Sequence, residues 1–237
     1  MRSHSLVLIL LILAASFMVL PPALSEPTDS AGWFAAGQSL TDTGNYSAGE
    51  SAYKQAIALD PNNAEAWNGL ADVLNRANQY TTDPLATLKL ALEASNQSLA
   101  LNASSPSSWI NRGQILYNIG YYYQDQLRDP ATAKIYYNEQ LDAFNQAISV
   151  DPNNAEAWFN KGYALCGMGR CTEGITAFQE VQTLNPNYPY LQLNLAQAEQ
   201  LAATETPFYV KYAAEIVMLF VAIAAATFWY TAVRKKN

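Results

Sequence analysis

The chain has 237 residues, half of them apolar, and a formal net charge of −7. Between Glu26 and Thr206 there are 19 Asp/Glu against 8 Lys/Arg, and so acidic a middle lacks the Lys/Arg footprint that nucleic-acid phosphates require. With His4 as the one histidine and only two cysteines, the region beyond the amino terminus has no Ser-His or Cys-His nucleophile pair and no set of residues for structural zinc.

Residues 1–25 read as a secretory signal. Arg2 forms a short positive region, Leu6 to Leu20 an apolar run of 15 residues, and Ala23-Leu24-Ser25 a small-x-small cleavage site. The run is short for a span of about 20 residues, and an uncleaved anchor is the alternative reading. Beyond Pro27, Trp33, Ala36, Gly37 and Leu40 recur at helical spacing. Gly44-Asn45-Tyr46 marks a turn, and Tyr53, Ala56, Ile57 and Leu59 mark a second helix.

The next unit carries Thr82-Asp83-Pro84, with Asp83 as N-cap and Pro84 in the first helical position. About eight additional residues there are expected to lengthen its second helix by about two turns. A larger insertion, of about 15 residues by the same count, falls within 106–154. Arg128-Asp129-Pro130 repeats the cap signal, which extends the preceding helix to about Arg128 and starts the next at Pro130. Two long helices then project beyond their neighbours, carrying Tyr121, Tyr122, Tyr123, Tyr136 and Tyr137.

A uniform-length unit covers 155–188, and residues 189–206 read as one amphipathic helix (Leu191, Leu195, Ala198, Leu201) with a linker. Ile216 to Val233 is free of charge, about 27 Å as a helix, and 208–233 is the expected transmembrane helix. Tyr209, Tyr212, Trp229 and Tyr230 lie towards its ends, and Arg234-Lys235-Lys236 begins a basic tail, 234–237. By the positive-inside rule that tail is cytoplasmic. Signal and tail together place the middle of the chain outside the cytoplasm.

The middle is organised around one octapeptide. Asp60-Pro61-Asn62-Asn63-Ala64-Glu65-Ala66-Trp67 recurs unchanged at Asp151 to Trp158. The interval accommodates two units of about 34 residues plus insertions. Trp33, Trp67, Trp109 and Trp158 each open a unit. A small residue follows four positions later (Gly37, Ala71, Gly113, Gly162) and Leu seven positions later (Leu40, Leu74, Leu116, Leu165). The closing loop degrades to Asn102-Ala103-Ser104-Ser105 after the second unit and to Asn185-Pro186-Asn187 after the fourth.

This pattern resembles the tetratricopeptide-repeat family over about residues 30–188. The resemblance implies an all-α, right-handed α-solenoid of four helix–turn–helix units (about 30–63, 64–105, 106–154 and 155–188) with a carboxy-terminal capping helix. Trp and Leu would fill the core between helices, and the small residue would permit close approach. Gln140 stands where the family has a small residue, which leaves that helix's register open.

The resemblance also implies binding of a protein or peptide on a concave face built by the first helix of each unit. The matching positions are Phe34, Gln38, Asn68, Asp72, Asn75, Gln114, Tyr117, Asn118, Phe159 and Tyr163. One subgroup of the family clamps a peptide carboxylate with Lys and Arg. The matching places here hold Phe34, Gln38, Gly69, Ser107 and Asn111, so that activity is not carried over, and the groove reads as amide- and aromatic-rich with Asp72 its one carboxylate.

The expected protein is a membrane-tethered extracytoplasmic scaffold with no enzymatic step and no cofactor. Two other readings stay open: a tail-anchored cytoplasmic receptor, and a carboxylate-dependent enzyme. Asn45, Asn96 and Asn102 head Asn-x-Ser triplets, candidate N-glycosylation sites if exported. Cys166 and Cys171 flank Gly167-Met168-Gly169, close enough in sequence for a disulfide across the turn or for two reduced thiols.

Overall fold

A computed structural model describes residues 27–205 together with 217 and 218. The expected signal segment 1–25 and the basic tail lie outside these residues. So does the expected transmembrane helix, apart from Val217 and Met218, both helical and exposed. No helix of the described residues is long and apolar enough to cross a membrane.

The described residues form nine α-helices and no strand. They pair in order as α1 (Ser30–Asp42) with α2 (Tyr46–Leu59), and α3 (Ala64–Ala77) with α4 (Pro84–Leu101). The next pairs are α5 (Pro106–Asp125) with α6 (Pro130–Val150), and α7 (Ala155–Gly167) with α8 (Cys171–Leu184). The ninth, α9, spans Leu191–Glu205. Each pair packs on itself, each second helix packs on the next first helix, and α1, α3, α5, α7 and α9 touch in succession. The result is a solenoid with the first helices along one face. No pair could bury its apolar side alone, which is why the units stack.

The two octapeptides fold identically. The Asp60 carboxylate accepts from Asn62 N at 3.0 Å, Asn63 caps α3 by accepting from Ala66 N at 2.9 Å, and Trp67 Nε1 donates to Pro61 O at 3.0 Å. Asp151, Asn154 and Trp158 repeat these bonds at 3.0, 2.9 and 2.9 Å. The degraded loop does the same: Asn102 accepts from Ser104 N, Ser105 caps α5, and Trp109 Nε1 donates to Ala103 O at 2.8 Å. An Asx turn, a cap and an indole latch thus survive loss of the Asp-Pro sequence, because any Asx and any small hydroxyl supply the same acceptors. Trp67, Trp109 and Trp158 are consequently half-buried latches that pack against the core from its edge rather than filling its centre. An indole with its N–H committed to a surface loop cannot also lie wholly inside.

The fully buried core is filled by the leucines seven residues on and by one aromatic from the second helix of the first, third and fourth units. Leu74, Leu116 and Leu165 are buried, as are Tyr53, Phe144 and Phe178. A Cβ added at Gly37, Gly113 or Gly162 would come within 2.8, 2.4 and 2.8 Å of the rings of Tyr53, Phe144 and Phe178 respectively. The small residue therefore makes room for the aromatic of its own unit. In the second unit both members change together, to Ala71 and Ser95.

The Phe144 ring also settles the register of α6. Counting back from it, Gln140 occupies the place of Gly49 and Gly174 and is buried.

The insertions lie partly elsewhere than expected. In the second unit the additional residues are divided: α4 has 18 residues against 14 in α2, and the rest widen the connection at 78–83, which holds a 3₁₀ turn, Asn78–Tyr80. Asp83 caps α4, accepting from Ala86 N at 3.0 Å, with Pro84 first in the helix.

In the third unit both helices grow, to 20 and 21 residues, and α5 stops at Asp125 rather than Arg128. The chain must break there to present Asp129, which caps α6 by accepting from Thr132 N at 3.1 Å. Leu59 and Leu201 are exposed despite their place in the apolar pattern. Leu59 is turned about 200° round the helix from Ile57. Leu201 lies on a face of α9 that no later helix among the described residues covers.

Candidate protein-binding groove

Because α1, α3, α5, α7 and α9 stand side by side, their common face is a continuous trough. Its amino-terminal part, about 660 Å³, is lined from α1, α3 and α5 by Phe34, Gln38, Asn68, Asp72 and Gln114, and reaches Glu156 on α7. A middle part of about 290 Å³ holds Asn75, Gln114, Tyr117, Asn118 and Tyr163. Tyr117, Tyr163 and Gln140 continue into a third part of about 380 Å³, closed by Tyr121 and Tyr137 of the long helices and by Ala198 and Leu201 of α9.

Nine of the ten expected groove residues meet here. Phe159 does not. Its half-buried ring packs at 5.5 Å from Phe178 and 4.9 Å from Tyr188, against the core between α7, α8 and the α8–α9 connection. The bulk of Phe at that position seals the last pair against the cap.

The trough floor is held by amides. Asn111 Nδ2 donates to Asn68 Oδ1 at 3.0 Å and to Asn68 O at 3.1 Å. Two helical turns on, Asn118 Nδ2 donates to Asn75 Oδ1 at 2.8 Å. These two bridges tie α3 to α5, so Asn68, Asn75 and Asn118 serve structure as well as surface. Asn111 is only 6% exposed, and its Oδ1 has no hydrogen-bond partner.

Charge in the groove departs from expectation. Asp72 is joined by Asp42, Glu65 and Glu156 along the amino-terminal part. Arg76 is the one cation there, with Nε 2.9 Å from Asp72 Oδ2. Glu65 and Glu156 escaped notice because they occupy first-turn positions of α3 and α7, where an acid already has a helix-dipole explanation.

The tyrosines divide as three consecutive residues on a helix must. Tyr121 is half exposed, with its ring 6.4 Å from that of Tyr117. Tyr123 turns to α6 and stacks on Tyr136 at 5.4 Å, and Tyr122 is half-buried. Tyr117 also lies 6.2 Å from Tyr137. Burial, with the neighbouring tyrosines adding repulsion, raises the Tyr117 and Tyr137 phenols above their ordinary value.

Other expected sites fall outside the trough. Asn45, Asn96 and Asn102 are exposed. Asn45 caps α2, Asn96 accepts from Arg112 Nε at 3.3 Å, and Asn102 shapes the loop before α5. Cys166 is half-buried and Cys171 buried, at the two ends of the turn between α7 and α8.

A trough along the first helices of stacked helical pairs defines an all-α repeat protein of the solenoid class. The pairs are matched by tetratricopeptide-repeat family models at residues 34–98, 113–154 and 143–174, together more than half of the chain. The chain belongs to the tetratricopeptide-repeat family.

No curated protein matches the sequence. Among solved structures the chain is similar to a thermophilic tetratricopeptide-repeat protein of Thermus thermophilus, at 18% identity and a TM-score of 0.58, covering 84% of this chain and 99% of that one. It is also similar to MamA (17% identity, TM-score 0.54, 74% and 84% covered) and to pilF of Pseudomonas aeruginosa (20%, 0.51, 75% and 77%). At such identities the likeness is one of fold.

Proposed function

We propose that this protein is a scaffold that binds a protein or peptide along the trough formed by α1, α3, α5, α7 and α9. The observation that carries this reading is the unbroken run of three cavities sharing Gln114, Tyr117 and Tyr163. Amides there offer donors and acceptors to a peptide backbone. The tyrosines add broad contact area with a polar tip, a combination typical of binding hot spots.

Tethering is part of the same proposal. The apolar run at 6–20, the uncharged stretch at 216–233 and the basic residues after it support a single-pass protein with its repeats outside the cytoplasm.

Two experiments test these points. A photo-crosslinking residue at Gln38 or Gln114 should trap a partner that the same residue at exposed Lys89 of α4 does not. Replacing Tyr117 and Tyr163 together by Ala should abolish the trap with helicity unchanged. Trapping from Lys89 alone would place binding on another face. For topology, external protease on intact cells should digest the repeats and spare a tag after Asn237, and a digested tag or protected repeats would reverse the orientation.

A further inference from the structure

The trough is chemically unequal along its length, and this decides what can lie in it. At the amino-terminal end stand four carboxylates, Asp42, Glu65, Asp72 and Glu156, against Arg76 alone, and α5 adds no charge. Asp42, Glu65 and Glu156 make no ion pair among the described residues. Asp42 is the last residue of α1, where the helix dipole opposes a negative charge, so helix stability does not account for it. In the same cavity the buried Asn111 has an acceptor oxygen without a donor. The unpaired carboxylates favour a cation, and the Asn111 oxygen can accept from any N–H that a cationic side chain brings. At the other end the cavity between α5, α6, α7 and α9 has no charged side chain in its lining and is walled by Tyr117, Tyr121, Tyr137, Tyr163, Met168 and Leu201.

We infer that the segment bound by this trough is an extended peptide with a basic residue at one end and an aromatic or large aliphatic residue at the other. The inference rests on the scaffold reading above and names the class of partner. The spacing between the two anchors follows from the architecture. The acidic end is centred on α3 and the apolar pocket on α7, with α5 between them. Helices in direct contact lie about 10 Å apart, so the anchors are separated by about 20 Å, which about six extended residues span. A charge at the acidic end is only partly screened by salt, whereas the apolar end is indifferent to it. The two halves should therefore respond differently to ionic strength.

The test is fluorescence titration of the full chain with blocked synthetic peptides. The lead peptide joins a Lys-Arg pair through six Gly/Ser residues to Phe-Leu. Controls replace Lys-Arg by Glu-Glu, replace Phe-Leu by Gly-Gly, or shorten the spacer to one residue. The lead peptide should bind at least about tenfold tighter than each control, a difference of roughly 1.4 kcal/mol, and its advantage over the Glu-Glu peptide should shrink as salt rises.

In the protein, Asp42→Asn with Glu65→Gln and Glu156→Gln should erase the preference for Lys-Arg while leaving the Phe-Leu contribution. Asp42→Asn alone, which removes a charge unfavourable to its own helix, should weaken lead-peptide binding without lowering the melting temperature. Equal binding of the Glu-Glu peptide, or undiminished binding by the carboxylate variants, would overturn the inference and leave the groove as a charge-indifferent peptide site. No binding by any peptide would overturn the scaffold reading along with it.

Discussion

At the scale of single residues the tryptophans show how one contact can be judged from its partners. Trp67 and Trp158 donate their indole N–H to Pro61 O and Pro152 O at 3.0 and 2.9 Å, and each ring is half-buried. The hydrogen bond and the ring can be separated. Trp67→Phe keeps most of the apolar contact and deletes the donor, so it should cost about 1 kcal/mol, the net worth of a typical hydrogen bond. Trp67→Ala loses ring and bond together and should cost about 2–3 kcal/mol, below the usual cost for a fully buried aromatic because part of the ring is already in water. Urea denaturation of the three proteins measures both steps. Equal midpoints for wild type and Trp67→Phe would remove the latch as a source of stability.

At the scale of elements, the third unit shows why one insertion becomes longer helices rather than a loop. Gly44 and Gly169, eleven residues after their tryptophans, adopt φ of 80° and 73° and end α1 and α7. The equivalent of these glycines in the third unit is Gly120, which stays helical within α5. After Gly44 comes Asn45, which caps α2. After Gly120 come three tyrosines, and the next cap-and-proline signal is Asp129-Pro130. The first helix runs on past this glycine to Asp125.

Gly120 then repeats the role that Gly113 has two turns earlier. A Cβ there would meet Tyr137 at 2.7 Å, as one at Gly113 would meet Phe144 at 2.4 Å. The two sites should nonetheless respond differently. Phe144 is 1% exposed and cannot retreat, so Gly113→Ala should cost about 2–3 kcal/mol through overpacking. Tyr137 borders the open tyrosine-lined cavity and can swing into it, so the gain in helix propensity of about 1 kcal/mol offsets much of the clash at Gly120→Ala. Thermal melting of the two variants reports the contrast, and equal losses would show that Tyr137 is held as tightly as Phe144.

The same elements show what was legible beforehand. Unit boundaries were readable because the octapeptide and the Trp-small-Leu spacing are local signals. The core aromatics and the division of the second insertion were less so, because they depend on which residue of the second helix faces the small one. In the groove, Gln38, Asn68, Gln114, Tyr117 and Tyr163 line the trough where sequence register puts them. That register put Phe159 on the surface, although its ring is taken up by Tyr188, a residue from the following connection. It passed over Glu65 and Glu156, since a first-turn acid carries no signal of the cavity it faces until the units are stacked.

Across the whole molecule, the tyrosines couple stability to alkaline pH. Burial, as the leading cause, raises the phenol pKa above its ordinary value at Tyr53, Tyr117, Tyr136, Tyr137 and Tyr188. These residues lie on α2, α5, α6 and the connection before α9, so the effect is spread along the solenoid. The sign follows from linkage. A group whose folded pKa exceeds its unfolded value holds its proton more tightly in the fold. The stability it contributes is therefore complete below the unfolded value, near pH 10, and is lost as pH rises through the folded value.

The protein should thus melt at a constant temperature on the approach to pH 10 and then at falling temperatures above it. Growing negative charge on an already acidic chain would also lower stability in that range, and the two causes can be distinguished. Replacing Tyr117 and Tyr137 by Phe removes two of the shifted phenols and leaves the acidic residues in place. The decline above pH 10 should be shallower in this double variant than in wild type when melting is followed by circular dichroism. Curves of identical steepness would assign the alkaline loss to general charge repulsion instead of to the partly buried phenols.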